Sequence, residues 1–130
     1  MPCLDTDFLV GLLRGNKDAI KKLRLLSEKA EPLHVTPITI SELFEGAYLS
    51  GAEQNIAETE EILRPLTMLE YDWQAAKDAG FLLGELNKKG SKIGDLDTLI
   101  AAIALRHNQQ IISRNVKHFR KVPSLKVEEW

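Results

Sequence analysis

The sequence has one cysteine, Cys3, among its 130 residues, so it carries neither a disulfide framework nor a cysteine-based zinc site. Aromatic residues are few, at 6%, and no apolar run approaches the length of a membrane span. The start lacks the basic and apolar regions of a secretory signal peptide, so we expect a cytoplasmic protein without membrane contact. A glycine-rich phosphate loop, a nucleophile elbow and a metal-ligand spacing of the histidines are also missing.

Strong positive charge is absent as well. The net charge is -2, which excludes a strongly basic nucleic-acid-binding domain. Residues 53–72 hold six acids and one base, whereas residues 106–130 hold six lysines or arginines and two acids. Each stretch is typical of a solvated face, but the second also predicts a basic rim near residues 113–115. Contact with nucleic acid would then be local, or would go through bound cations.

The pattern that is present is an alternation of short β-like runs and helical runs. It predicts an α/β fold, a small parallel sheet flanked by helices, in a single domain of residues 1–130. A chain of this length buries about two-thirds of its unfolded surface and needs no disulfide or structural metal to hold its core. The predicted strands are 2–4, 33–36, 67–71, 110–113 and 125–127; the predicted helices are 8–15, 17–29, 40–51, 52–63, 73–87 and 96–106.

Acidic side chains follow two predicted strands and open one predicted helix. Asp5 follows the first strand, Glu42 lies just past the second, and a polar cluster at 113–115 follows the fourth. In parallel sheets, ligands bind beyond the carboxyl ends of the strands. Asp95 and Asp97 open the helix before the fourth strand, and connectivity alone predicts that this helix begins at the opposite end of the sheet.

Three of these acids have structural alternatives. Glu42 fits the third helical position of a capping box at residues 39–42, a role that contributes about 1 kcal/mol. Asp95 is a natural N-cap. Asp97, two positions further on, would be favoured by the helix dipole. Taken singly, the acids therefore need no catalytic explanation.

Asp5 is harder to explain as a cap, because Thr6 and Asp7 can cap the first helix themselves. If Asp5, Glu42 and Asp97 converge, two carboxylates 4 Å apart repel by about 4 kcal/mol at an effective dielectric of 20. A hard divalent cation such as Mg²⁺ or Mn²⁺ relieves that repulsion most simply. A bound cation makes phosphate the natural substrate group.

Several stretches also resemble a known family. LDTDFL, ISELFEGA, GDLDTLIAAIAL, SRNVKHF and VPSLKVEEW, in this order and spacing, resemble PIN-domain proteins and, more closely, the VapC toxins of type II toxin–antitoxin systems. The resemblance implies a PIN-like three-layer α/β/α fold and a Mg²⁺- or Mn²⁺-dependent endoribonuclease. It also implies a cognate antitoxin and a homodimer, or a dimer of toxin–antitoxin heterodimers.

The resemblance assigns roles to six residues of this sequence. The implied metal ligands are Asp5, Glu42 and Asp97, the implied catalytic residues are these three and Asn115, and the implied substrate-binding residues are Ser113 and Arg114. The chain departs from the family pattern at Ser113, where threonine is common, and at His118, where an aspartate often stands. It thus has no fourth acid at the tip unless Asp95 substitutes, which leaves one metal or two open.

Three other functions are compatible with parts of the sequence. A catalytically silent PIN-like protein would bind RNA or a partner without cleavage. The Asp5-Thr6-Asp7 triplet echoes haloacid-dehalogenase-type phosphatases, but Leu9 stands where that class expects threonine or valine. A receiver-like module would need adjacent acids after the first strand, and Thr6 separates them here.

Overall fold

A computed structural model describes residues 2–130 and has a parallel five-stranded sheet at its centre. The strand order is β3-β2-β1-β4-β5. The strands are β1 (Pro2–Leu4), β2 (His34–Val35), β3 (Thr67–Met68), β4 (Gln110–Ile112) and β5 (Val127–Glu128). The helices are α1 (Thr6–Leu13), α2 (Lys17–Glu28), α3 (Pro37–Ser50), α4 (Glu53–Leu63), α5 (Trp73–Lys88), α6 (Asp95–Arg106) and α7 (Val116–Phe119).

The core lies on both faces of the sheet because successive residues of a strand point to opposite sides. In β4, Ile111 packs against α5, α6 and α7, whereas Ile112 packs against α1, α2 and α3. β1 lies in the middle of the sheet, and Cys3 is fully buried there, as expected of a small apolar residue in the first predicted strand. Phe119 is buried in the α5–α6 core. The predicted α/β/α architecture is confirmed.

Local capping signals explain where two helices begin. The Asn16 side chain accepts hydrogen bonds from the backbone N–H groups of Asp18 and Ala19 and so starts α2. The Asp72 side chain accepts from Ala75 N–H and starts α5. The sequence predicts both caps, since Asn16 and Asp72 each stand directly before a helical run. For α5, helical spacing predicts an inner face of Ala76, Ala79, Gly80, Leu83 and Leu86. The buried positions are Ala75, Ala79, Leu82 and Leu86, so the prediction is wrong for Ala76 and Gly80, which are exposed.

Two predicted helix starts are wrong, and both errors concern the acids. α1 begins at Thr6 with Asp5 in the N-cap position, so Thr6 and Asp7 do not cap this helix and their side chains are free for other contacts. α3 begins at Pro37, because Pro is well suited to the first helical position and the Thr36 hydroxyl caps the helix. Glu42 therefore lies beyond the first turn of α3, and the predicted capping box does not form.

α6 begins at Asp95 after Gly94, which takes the N-cap position with φ +98°, so the predicted Asp95 cap is wrong by one residue. The prediction that α6 begins at the opposite end of the sheet is also wrong. α6 leads into β4 through residues 107–109, so it runs back along the sheet and its first turn lies beyond the carboxyl end of β4. The Asn115 amide, just after β4, donates a 2.9 Å hydrogen bond to Asp97.

Within residues 2–130, no helix combines the length and the apolar character that crossing a membrane demands.

Candidate active site

A pocket of about 740 Å³ lies at the carboxyl ends of β1 and β4, and we call it the acidic pocket. Four carboxylates line it, those of Asp5, Asp7, Glu42 and Asp97. The structure thus brings together the three acids that the sequence singles out. The remaining lining residues that matter below are Thr6, Arg14, Arg114, Asn115 and Trp130.

Asp5 sits deepest in the acidic pocket, at the end of β1, with 4% of its surface exposed. Its Oδ2 accepts a 2.7 Å hydrogen bond from the Ser113 hydroxyl. Its Oδ1 is buried and has no partner. Burial raises the pKa of Asp5 to about 7, and the negative charges of Asp7 and, more weakly, Asp97 act in the same direction. The Ser113 hydrogen bond opposes that rise.

Glu42 projects from α3 toward the start of α1. Its Oε1 accepts a 2.7 Å hydrogen bond from the Thr6 hydroxyl. The Thr39 hydroxyl lies 3.1 Å from that of Thr6, within hydrogen-bonding distance. Because α1 starts at Thr6 rather than later, this hydroxyl is available to hold Glu42.

Asp97 lies in the first turn of α6 and is half-buried. Its Oδ2 accepts the 2.9 Å hydrogen bond from the Asn115 amide, and His118 Nδ1 lies 3.4 Å from the same oxygen. Asn115 Nδ2 is also 2.9 Å from His118 Nδ1. His118 therefore stands beside both Asp97 and Asn115.

The three carboxylates share one pattern. In Asp5, Glu42 and Asp97, one oxygen accepts a hydrogen bond from an uncharged hydroxyl or amide group, and these contacts leave the other oxygen unused. Within residues 2–130, no lysine or arginine forms an ion pair with any of them. These three carboxylates are therefore positioned by uncharged groups and have no lysine or arginine to neutralise them.

A direct metal cage is not preformed. In the part of the chain that the structure describes, no three His, Cys, Asp or Glu side chains stand close enough together to hold an ion. Magnesium is commonly held by only one or two carboxylates, with waters and substrate phosphates as the other ligands. The donor chemistry and the unpartnered Oδ1 of Asp5 fit a cation bound in that way.

The polar cluster after β4 divides into three roles. Ser113 is fully buried and reaches Asp5, and its hydroxyl also accepts from the Asn115 backbone N–H. Asn115 contacts Asp97. Arg114 is exposed and lines the mouth of the acidic pocket, so one residue of the predicted basic rim lies beside the carboxylates.

Sequence reasoning missed four residues that shape the site: Thr6, Asp7, Trp130 and His118. Asp7 Oδ2 accepts from the Arg114 backbone N–H at 2.9 Å, and Asp7 Oδ1 accepts from the Trp130 indole N–H at 3.0 Å. Thr6 and Asp7 stand directly after Asp5, but the sequence alone predicts a capping role for both, and neither caps α1. Trp130 carried none, because its contact with Asp7 spans 123 residues.

The chain is similar in sequence and in fold to known proteins. A family model described as PIN domain matches residues 3–125. The chain is 34% identical to Ribonuclease VapC of Haemophilus influenzae and 30% identical to tRNA(fMet)-specific endonuclease VapC of Salmonella typhimurium, in each case over 98% of this chain and 96% of the relative. A crystal structure of DNA-bound VapBC from Salmonella typhimurium superposes with a TM-score of 0.89 at 30% identity, covering 99% of this chain and 97% of that one.

Proposed function

Because this chain belongs to the PIN-domain family, we propose that it is a metal-dependent endoribonuclease that hydrolyses RNA phosphodiester bonds in its acidic pocket. The relatives at 30–34% identity that are named ribonucleases support the reaction class. We propose further that the chain acts as the toxin of a toxin–antitoxin pair, and that residues 1–130 work as one domain.

The main support for this proposal is that three carboxylates of the pocket each have one hydrogen-bonded oxygen and one unused oxygen. Asp5, Glu42 and Asp97 each keep one oxygen in an uncharged hydrogen bond, and the burial of Asp5 makes its unpartnered oxygen costly unless a cation or a proton meets it. We assign Asp5 and Asp97 as the residues that would hold Mg²⁺ or Mn²⁺, directly or through water, with Glu42 helping to position it. Such a cation supplies polarisation of a phosphoryl oxygen and a more acidic water.

The remaining polar residues position these carboxylates or the substrate. Ser113 holds Asp5, Thr6 holds Glu42, and Asn115 holds Asp97, so each carboxylate keeps its direction without a competing charge. Ser113 is fully buried, so we give it a positioning role rather than direct contact with RNA. Arg114 lies at the pocket mouth and would bind a backbone phosphate, a contact that fixes register but carries no sequence information.

The partners are proposed from the relatives and from the surface. The Salmonella relative was crystallised as VapBC, which supports a small protein antitoxin as partner. Large apolar side chains are exposed on α3, at Tyr48 and Leu49, and on α5, at Trp73 and Phe81. Exposed apolar side chains mark a protein interface where they form one contiguous surface. We propose that they serve antitoxin binding and a homodimer, or a dimer of toxin–antitoxin heterodimers.

The proposal is tested by RNA cleavage with purified protein freed of any co-purifying partner. Structured and unstructured RNAs are incubated with Mg²⁺, Mn²⁺ or EDTA. We expect cleavage that requires the metal and falls by about a hundredfold or more in Asp5→Asn and Asp97→Asn, since each removes a charge from the site of developing charge.

Asp95→Asn is the matched control. Asp95 is an exposed acid in the same helical turn as Asp97, and it does not line the acidic pocket. We expect it to cleave like the parent. Cleavage that persists in both Asp5→Asn and Asp97→Asn would contradict the assigned site, and RNA binding without cleavage would favour a silent binding protein.

A further inference from the structure

Four side chains at the mouth of the acidic pocket form a connected group, Asp7, Asp18, Arg114 and Trp130, which we call the rim cluster. The Arg114 guanidinium lies flat on the Trp130 indole, with its central carbon 3.7 Å from the ring centroid. Arg114 Nε donates to the Trp130 backbone carbonyl at 3.2 Å, and Nη2 donates to Asp18 at 3.0 Å. Asp7 joins the two by accepting from the Trp130 indole N–H and from the Arg114 backbone N–H.

Trp130 cannot move inward from this position. Phe8 meets its ring edge-to-face, with centroids 5.5 Å apart. A Cβ placed on Gly11 would lie only 2.8 Å from Trp130 Cη2, so the absence of a side chain at Gly11 makes room for the indole. The ring is therefore a fixed surface between α1 and Arg114.

The contacts of Arg114 leave part of its guanidinium available. Of its five N–H groups, Trp130 and Asp18 receive two. Its side chain remains 43% exposed and lines the same pocket as Asp5 and Asp97. Only Arg14 and Arg114 supply positive charge among the described lining residues, against four carboxylates. A polyanion that approaches this pocket meets net negative charge, so a fixed guanidinium at the mouth matters for binding.

We infer that Trp130 is a positioning residue, which holds the Arg114 guanidinium at the pocket mouth as a preorganised binding group for an RNA backbone phosphate beside the cleaved bond. The inference rests on the proposed function and adds to it a residue and a phosphate contact. Trp130 acts on RNA binding through Arg114, which covers one face of its ring, while Phe8 of α1 packs against the same ring. Side-chain freedom of Arg114 is then lost during folding and not during RNA binding, which strengthens binding.

A double-mutant cycle separates this role from simple packing. Affinity for a short fluorescein-labelled single-stranded RNA is measured by anisotropy with Mg²⁺, in an Asp97→Asn background that keeps the RNA intact. We expect Arg114→Ala to weaken binding about tenfold and Trp130→Ala about fivefold, since both remove the same phosphate contact. The double variant should then lose about tenfold rather than the about fiftyfold of independent effects.

Salt dependence gives a second readout that packing alone would not change. Each of the two single variants should reduce the slope of log affinity against log salt by about one phosphate contact. Trp130→Phe keeps a ring beneath Arg114 and loses only the N–H to Asp7, so it should weaken binding by less than about twofold.

Two further variants guard against trivial explanations. Tyr71→Ala removes an exposed aromatic ring from the segment before α5, outside the pocket lining, and should bind RNA like the parent. Gly11→Ala displaces the Trp130 ring without removing it. If Trp130→Ala does not fold, Gly11→Ala replaces it in the double-mutant cycle with Arg114→Ala. Its loss should likewise not add to that of Arg114→Ala.

The outcomes are distinct. Additive losses in the cycle, unchanged affinity in Trp130→Ala, or an equal loss in Tyr71→Ala would overturn the inference while leaving the proposed nuclease in place. A parent protein that neither binds nor cleaves RNA would overturn the proposed function, and the inference with it.

Discussion

Asp5 is a buried carboxylate whose charge is unfavourable in the folded protein without a cation. Its pKa is raised to about 7 by burial and by Asp7, from an ordinary value of 3.8. Between pH 3.8 and pH 7, unfolding therefore releases a proton, and stability falls as the pH rises through this window. Above pH 7 the whole cost of the buried charge is present.

Asp5→Asn should remove this cost. With EDTA present, we expect the variant to be more stable than the parent at pH 8, by about 1–4 kcal/mol, and nearly equal to it at pH 4, where Asp5 is protonated. Urea unfolding between pH 4 and pH 8 measures the difference. Asp95→Asn, which removes an exposed acid, should retain the parent's pH dependence. If the free energy of unfolding of Asp5→Asn falls between pH 4 and pH 8 by as much as that of the parent, Asp5 is not the source of the pH dependence.

At the scale of the helices and strands, the sequence predicts most of the fold but fewer of the contacts within the site. The caps of α2 and α5 follow from one residue each, Asn16 and Asp72, and both are confirmed. The start of α3 could not be separated from a capping box, because Thr36 and Thr39 offer the same chemistry three residues apart. Such a choice depends on the neighbouring elements, which local sequence does not contain.

The sequence predicts the acids of the site, but not all of the groups that donate hydrogen bonds to them. Asp5, Glu42 and Asp97 stand out because each is an acid at the end of a strand or the start of a helix. Their donors come from other elements, so only the fold shows that Thr6 serves Glu42 or that Ser113 serves Asp5. That these acids bind a metal remains a prediction.

The start of α6 depends on a glycine. Gly94 has φ +98° and ψ 147°, a conformation that is essentially restricted to glycine. We expect Gly94→Ala to destabilise the protein by about 1–3 kcal/mol, as measured by urea unfolding. Because Asp97 lies in the following turn, the same variant should also lose RNA cleavage.

Gly84 is the matched control for that substitution. It lies exposed inside α5, has no positive φ, and has open space where a Cβ would be. Gly84→Ala should therefore stabilise the protein by about 0.5–1 kcal/mol, because alanine loses less backbone entropy in a helix. Destabilisation by both variants to the same extent would mean that the backbone angle of Gly94 is not the cause.

For the whole molecule, the position of Cys3 makes its thiol a reporter of global unfolding. It is the only cysteine, is fully buried, and lies in β1, with β2 and β4 on either side. Burial raises the pKa of the Cys3 thiol, so the reactive thiolate is suppressed in the folded state. No fraying of an edge strand would expose it.

We expect Cys3 to react with a thiol reagent only through complete unfolding. Its labelling rate should rise with urea with the slope of the global transition, and at pH 8 with EDTA it should be slower in Asp5→Asn, which is the more stable protein. Labelling that is rapid in buffer and insensitive to urea would instead reveal local opening of the sheet around β1.

The acidic pocket also joins distant parts of the chain: the hydrogen bond between Ser113 and Asp5 spans 108 residues. A nascent chain that has emerged from the ribosome only as far as α5 carries Asp5 and Glu42 but lacks Asp97 and Ser113. It has no complete pocket, whatever the order in which its helices form. For a protein whose proposed substrate is RNA, the translating ribosome thus carries a chain without a complete acidic pocket until β4 has emerged.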